Sequence, residues 1–152
     1  MAVTIRPAIQ ADAAELVRLI VALAAYEKEP NAVEATAETL AAQLGSVQPP
    51  FESLVAEADE GRLVGFALFF TSYSTWRGQA GLYLEDLYVE SSHRRQGIGR
   101  RLIYELKILG QARGYKRLEW SVLNWNELAI NFYRGLGAEP LTGWTTWRLN
   151  LD

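Results

Sequence analysis

The chain of 152 residues contains no cysteine and only one histidine, His93. Without cysteine there is no disulfide, no Cys-ligated zinc or iron-sulfur centre and no thiol nucleophile. A single histidine excludes most of the remaining kinds of metal site, so we expect no bound metal. A Ser-His-Asp triad would have to use His93, which stands in a polar, arginine-rich turn without a nucleophile-elbow pattern. We interpret it as an exposed loop histidine.

The sequence also has no long apolar run and no excess of positive charge. The longest apolar stretch near the N-terminus, Leu19 to Tyr26, is too short to span a bilayer. The net charge of −3 at pH 7 argues against a dedicated nucleic-acid binder, which is usually basic. We therefore expect a cytoplasmic protein with no signal peptide and no membrane or nucleic-acid partner.

Length and composition indicate one globular domain over residues 1–152. A chain of this size buries a core without metals or disulfides. Its apolar content of 49% and charged content of 22% are ordinary for globular proteins.

The hydrophobic pattern predicts a mixed α/β domain built around one central sheet. Strand patterns cover residues 3–6, 51–57, 62–71, 81–89 and 117–123, and a terminal strand pair carries Trp144, Trp147 and Leu149. Helix patterns cover residues 16–25, a short segment from the N-cap Thr36 to Leu44 closed by Gly45, the segment from Gly97 to Leu109, and residues 126–136. The first helix is apolar around much of its circumference, which favours burial on two sides and leaves room for a partner subunit.

The segment from Leu82 to Leu102 carries the strongest chemical signal. An apolar strand runs into Arg94-Arg95-Gln96-Gly97-Ile98-Gly99 and directly into an amphipathic helix. Glycines let backbone N–H groups approach a ligand, and the start of a helix attracts anions. Arginines around the same turn suit a pyrophosphate. The same residues also fit a tight connection with a solvated rim. The third glycine of the dinucleotide fingerprint and the Gly-Lys-Ser/Thr of the P-loop are absent.

These residues resemble the Arg/Gln-x-x-Gly-x-Gly/Ala signature of the GNAT N-acetyltransferases. Four further segments are similar, in order and spacing, to the diamine and thialysine acetyltransferase branch: residues 83–89, 125–127, 131–133 and 136–138. Matches at Ile5-Arg6-Pro7, Tyr26-Glu27, Tyr73 to Trp76 and Trp147 extend the resemblance over nearly the whole chain. It implies the GNAT fold, a central mixed sheet with two splayed strands, and an expected homodimer.

The resemblance also implies how acetyl-CoA binds. The pantetheine arm lies between the splayed strands and bonds to the backbone of Leu87 and Val89, while amides from Arg95 to Arg100 cradle the pyrophosphate. The implied cofactor-binding residues are Leu87, Tyr88, Val89, Arg94, Arg95, Gln96, Gly97, Ile98, Gly99, Arg100, Asn126 and Tyr133.

For catalysis, the resemblance implies direct attack of an amine on the thioester in a ternary complex. An alkylamine with a pKa of about 10.4 is protonated at neutral pH, so a group must take its proton. Glu85 stands in the matching position. It takes the proton directly or through a water molecule, or it binds the cationic amine before the proton is lost. Asp86 should point to the opposite sheet face unless a bulge intervenes. Tyr133 stands where the family keeps its general acid, and the N–H of Val89 is the oxyanion donor.

For the acceptor, the resemblance implies a primary amine bound by Tyr26, Glu27, Tyr73, Trp76 and Glu85. Polyamine enzymes carry an acidic pair where this chain has Trp144 and Thr145, which favours a lysine analogue or diamine over spermidine or spermine. Two alternatives stay open: a non-catalytic CoA-binding module, which would need neither Glu85 nor Tyr133, and an acetyltransferase acting on protein lysines or N-termini.

Overall fold

The computed structural model describes residues 2–152, which fall into two compact units. The first unit ends at Ser121, and the second runs from Val122 to Asp152. The first contains five strands and three helices, in chain order β1 (Thr4–Pro7), α1 (Ala13–Tyr26), α2 (Ala37–Leu44), β2 (Glu52–Glu57), β3 (Leu63–Ser74), β4 (Gln79–Val89), α3 (Ile98–Ala112) and β5 (Leu118–Trp120).

The five strands form one mixed sheet in the order β1-β2-β3-β4-β5. Pairing is antiparallel from β1 to β4 and parallel between β4 and β5. Short connections join β2 to β3 and β3 to β4, the segment that contains α1 and α2 connects β1 to β2, and α3 forms the crossover that the parallel pair needs. The predicted mixed α/β fold around one central sheet is confirmed.

The first helix packs on the sheet through leucines at helical spacing. Leu16, Leu19 and Leu23 are buried in the same core cluster as Phe66 of β3. Val21 on another side of α1 is 44% exposed. Within the described residues, α1 is therefore buried on one side, and the second side that the sequence predicts for burial remains accessible.

The short helix α2 begins and ends where the sequence predicts. The Thr36 hydroxyl accepts a hydrogen bond from the Thr39 N–H at 3.1 Å, and Gly45 is the C-terminal cap. The hydroxyl satisfies an N–H that has no partner inside the helix, which is why threonine is favoured at this position.

A β-bulge interrupts the β3–β4 ladder. Leu68 pairs with Asp86 and Phe69 pairs with Leu84, so Glu85 is an extra residue in β4. A bulge changes the alternation of side chains along its strand. The alternation that separates Glu85 from Asp86 in a regular strand therefore does not hold here.

The parallel pairing of β4 with β5 is short. It joins Leu82 to Leu118, Tyr83 to Glu119 and Leu84 to Trp120, while β4 continues to Val89. Beyond Leu84, β4 pairs with β3 alone, so its other edge is open from Glu85 to Val89. The observed β5 is shorter than the predicted 117–123.

The second unit contains one helix, α4 (Glu127–Gly135), capped by Asn126, whose side chain accepts from the Ala129 N–H at 3.2 Å. The predicted terminal strand pair is wrong, because the described residues after α4 contain no strand and Trp147 is 91% exposed. Alternating apolar residues form a strand only where a neighbouring backbone edge supplies a ladder, and residues 136–152 acquire none.

Candidate active site

The motif segment forms an irregular loop between β4 and α3. After a short 3-10 turn at Ser91–His93, the chain reaches Arg95 at φ 64° and Gly97 at φ 78° before α3 begins. A positive φ is uncommon for a residue with a side chain and easy for glycine. His93 lies in this turn and is only 16% exposed, so the exposed loop histidine expected from the sequence is wrong.

The start of α3 suits an anion. Gly97 is its N-cap and gives no side-chain hydrogen bond, and the first turn contains no acidic residue. The first N–H groups of a helix have no intrahelical partner and stand at the positive end of its dipole. A Cβ added at Gly97 would meet no atom within 4 Å. The backbone is therefore open to a ligand, and the residues present fit a pyrophosphate.

The arginines of the loop differ in their surroundings. Arg95 and Arg100 are exposed, whereas Arg94 is partly buried. The Nε of Arg94 donates to the Val89 carbonyl at 2.9 Å, and its guanidinium lies 5.3 Å from the Tyr26 ring centroid and 5.6 Å from that of Tyr88. Cation-π contacts at such distances are favourable. Arg94 thus joins the loop to β4 and to the end of α1, while its contact with a pyrophosphate stays a prediction.

Three carboxylates gather where α1 ends beside the bulge of β4. Burial, and then the charge of Glu85, raise the pKa of Glu27, the residue after α1. Burial raises the pKa of Asp86 to about 6, with further contributions from Glu85 and Glu27. The negative charges of these carboxylates therefore act on one another. A cluster of negative charge attracts a cationic ligand such as an ammonium group.

Sequence reasoning did not place Asp86 in this cluster. Asp86 lies opposite Leu68, and directly opposed residues of an antiparallel pair share a sheet face. Leu68 belongs to the core under α1, so Asp86 faces the same helix that ends at Glu27. Nothing local marks the bulge in the sequence. The adjacent acidic residues Glu85 and Asp86 were the sequence feature that could have indicated this cluster.

The structure brings together only part of the predicted acceptor set. Glu27 and Glu85 lie close enough for the charge of Glu85 to raise the pKa of Glu27, and Tyr26 precedes Glu27 at the end of α1. Tyr73 pairs with Ala80 near the β3–β4 turn and is 67% exposed. Glu85 is five positions along the strand from Ala80, or about 17 Å. Tyr73, and Trp76 in the turn beyond it, therefore lie away from the carboxylates of the same chain.

A cavity at that turn end of the sheet does not suit a cationic acceptor. Its walls include Arg77, Lys116 and Arg117 against a single carboxylate, Glu119. Like charges repel, so a protonated amine would favour the carboxylate cluster beside α1.

The remaining predicted residues lie in the second unit. Asn126 is buried and caps α4, as predicted. Tyr133 is partly buried on α4, with its ring centroid 5.5 Å from that of Phe132. Among residues 2–152, no helix has the length and apolar character needed to cross a membrane. The same residues contain no group of three or more His, Cys, Asp or Glu side chains arranged to hold a metal ion.

Comparison with known proteins identifies the family of this chain. The model of the acetyltransferase (GNAT) family matches residues 16–138. The chain is 38% identical to thialysine N-epsilon-acetyltransferase of Bos taurus over 156 residues, which is 96% of this chain and 91% of that protein. It is 36% identical to spermidine/spermine N(1)-acetyltransferase-like protein 1 of Homo sapiens, covering 97% of this chain and 22% of that protein.

Among solved structures, ribosomal-protein-alanine N-acetyltransferase from Brucella melitensis biovar Abortus 2308 superposes with a TM-score of 0.72 at 27% identity. The match covers 99% of this chain and 100% of that one. The family match spans both the loop before α3 and Tyr133 of α4. The chain therefore belongs to the GNAT acetyltransferase family, whose members use acetyl-CoA, and it is an N-acetyltransferase.

Proposed function

We propose that this enzyme transfers the acetyl group of acetyl-CoA to a primary amine of a small molecule, a lysine-like amino acid side chain or a diamine. The observation that carries the proposal is the carboxylate cluster of Glu85 and Asp86, on β4 before the loop that leads to α3, with Glu27, the residue after α1. An amine acceptor and an anionic donor would thus meet along one strand.

The donor half of the site uses mainly backbone. The open edge of β4 offers the backbone of Leu87 and Val89, on either side of Tyr88, to the pantetheine arm, in the manner of an added strand. The amides of Arg95, Gln96, Gly97, Ile98, Gly99 and Arg100 would hold the pyrophosphate, with the two exposed arginines adding charge. Asn126 would help to hold the arm.

The acceptor half uses negative charge. A protonated amine would be drawn to Glu27, Glu85 and Asp86, and Tyr26 would add an aromatic wall. An acceptor with a single reactive amine close to a second polar group matches a compact cluster better than a long polycation, which needs carboxylates spread along a channel. The relative named for thialysine supports this choice. The absence of an acidic pair at Trp144 and Thr145 supports it as well.

The chemistry would then follow from residues of this chain. Glu85 takes the amine proton, directly or through water, and the amine attacks the thioester in a ternary complex. The N–H of Val89 stabilises the developing oxyanion. Tyr133 donates a proton to the departing thiolate. The negative charge of Asp86 would hold the ammonium group next to Glu85 before the proton moves.

Three further features belong to the proposal. Residues 1–152 form a single domain, and the enzyme is a cytoplasmic homodimer. The accessible side of α1, which includes Val21, supports the dimer. Tyr73 and Trp76 would line an acceptor site only from a second protomer, because about 17 Å of strand separates Tyr73 from Glu85 in one chain.

An amine panel tests the proposal. CoA release from acetyl-CoA would be measured with thialysine, lysine, ornithine, putrescine and spermidine for the parent and for Tyr133→Phe. We expect turnover with the compact amines and a loss of turnover in the variant. The matched control is Tyr104→Phe on the exposed face of α3, which should behave as the parent.

Other outcomes of the panel would favour the alternatives. Acetyl-CoA binding without turnover on any amine would favour a non-catalytic CoA-binding module. Acetylation of protein lysines or N-termini, detected by intact-mass spectrometry, would favour a protein acceptor. A protein acceptor is tested because one similar solved structure is named ribosomal-protein-alanine N-acetyltransferase.

A further inference from the structure

Glu90 lies where the sheet ends and the loop before α3 begins. Its N–H donates to the Val64 carbonyl at 2.8 Å, which extends the pairing of β4 with β3 by one residue. Its own carbonyl accepts from the His93 N–H at 2.9 Å. The backbone of Glu90 is therefore the last part of the sheet before the chain turns toward Gly97.

The Glu90 carboxylate joins two arginines that come from other elements. It accepts from Arg18 of α1 at 2.5 Å and from Arg62, in the β2–β3 connection, at 3.0 and 3.2 Å. It is 12% exposed, and the Nδ1 of His93 lies 4.0 Å from its second oxygen.

Arg18 is held in turn by groups of α1 and β3, outside the loop. It donates to the carboxylate of Glu15 at 2.7 and 3.1 Å and to the Leu63 carbonyl at 2.7 Å. Glu15 also accepts from the Leu63 N–H at 3.0 Å. The chain of bonds thus runs from the loop through Glu90 and Arg18 to the start of β3.

The charges favour an ionised Glu90. Burial opposes ionisation, but hydrogen bonds and charge from Arg18 and Arg62 outweigh it and lower the pKa of Glu90. A charge-assisted bond at low exposure is stronger than a neutral one and is less screened by solvent. Glu90 is therefore a fixed anchor rather than a mobile surface carboxylate.

We propose that Glu90 is a positioning residue for the donor site: through Arg18 and Arg62 it holds the loop before α3 in the conformation that binds the pyrophosphate. This inference rests on the proposed function. The loop amides bind a diphosphate well only if they are already ordered, because ordering them at the moment of binding weakens affinity. The helix holds the far end of the loop, and Glu90 holds the near end.

The test uses Glu90→Gln and Glu90→Ala in the full chain. Because one charge-assisted anchor is lost, we expect the Kd of acetyl-CoA, measured by calorimetry, to rise about fivefold to tenfold in the alanine variant and less in the glutamine variant. The KM of acetyl-CoA should rise in parallel. The kcat at saturating acetyl-CoA and the KM of the amine should stay within about twofold of the parent.

Glu52→Ala is the matched control. Glu52 also pairs with an arginine, Arg113, at 2.8 and 2.7 Å, but Arg113 is the C-terminal cap of α3. The helix has 15 residues, so this pair lies about 22 Å from the loop. Its loss should leave acetyl-CoA affinity unchanged. A purely structural role of Glu90 would lower thermal stability as in Glu52→Ala without changing the KM of acetyl-CoA selectively.

Hydrogen exchange of the ligand-free protein separates this inference from the proposed function. Amides 94–100 should exchange faster in Glu90→Ala than in the parent and in Glu52→Ala. Unchanged exchange would overturn the positioning role, whether or not the parent binds acetyl-CoA. Failure of the parent to bind acetyl-CoA would instead overturn the proposed function. If the alanine variant does not fold, acetyl-CoA affinity and hydrogen exchange are both measured on Glu90→Gln, and these two measurements test the proposal.

Discussion

Replacement of Asp86 by asparagine should stabilise the protein at alkaline pH. The pKa of this carboxyl rises from 3.8 to about 6 in the folded state, first because it is buried and then because Glu85 and Glu27 are close. Each pKa unit corresponds to about 1.4 kcal/mol, so ionised Asp86 lowers the free energy of unfolding by at most about 3 kcal/mol. An amide at the same place also loses water, so we expect a gain of about 1–2 kcal/mol.

The pH dependence gives the sign of the effect. Between the pKa of the unfolded chain, 3.8, and that of the folded protein, about 6, the folded state binds more protons. Stability due to Asp86 therefore falls as the pH rises through this window and is constant above it. The gain from Asp86→Asn should be full at pH 8 and small at pH 4.

Urea unfolding followed by tryptophan fluorescence at pH 8 and pH 4 measures the difference. The control is Asp12→Asn, because hydrogen bonds from Arg6, together with the Ile9 N–H, lower the pKa of Asp12 despite its burial. This control should destabilise the protein at pH 8. A loss of stability in Asp86→Asn at pH 8, or an equal gain at both pH values, would refute the reasoning. The stabilised variant should also lose activity, since the charge is proposed to hold the amine.

Three further predictions concern activity. The kcat/KM for the amine should fall below about pH 6 as Asp86 takes up a proton. Glu85→Gln should shift this fall in kcat/KM to lower pH, because the variant removes a negative charge next to Asp86. If the variant keeps residual activity and its kcat/KM falls at the same pH as that of the parent, the prediction is wrong. Tyr133→Phe should lower kcat by about 100-fold or more while raising the Kd of acetyl-CoA only slightly, because phenylalanine keeps the ring and loses only the hydroxyl; stopped-flow and calorimetry measure both. Gly97→Val should weaken acetyl-CoA binding at least about tenfold, because a β-branched residue does not tolerate a φ of 78° and its side chain would occupy the ligand's approach; parent-like affinity would remove the loop from the donor site.

Local signals predicted much of the fold. Thr36 and Gly45 mark the ends of α2 because capping depends on residues within one turn. Ile98 and Leu102 mark the buried face of α3 because the helical period is local too. The prediction of terminal strands around Trp147 was wrong because a strand needs a neighbouring strand to pair with, and the local pattern of apolar residues does not specify one.

By itself, the sequence determined the fold class, the family and the residues of the glycine-bearing loop, because each depends on spacing along the chain. Only the tertiary structure decided that Glu85 lies in a bulge and that Asp86 therefore joins Glu27 in one negative cluster. It also decided the partners of Glu90, Arg18 and Arg62, which are 72 and 28 residues away along the chain. Strand register and contacts between distant segments depend on how the sheet and α1 pack, and no local pattern specifies them.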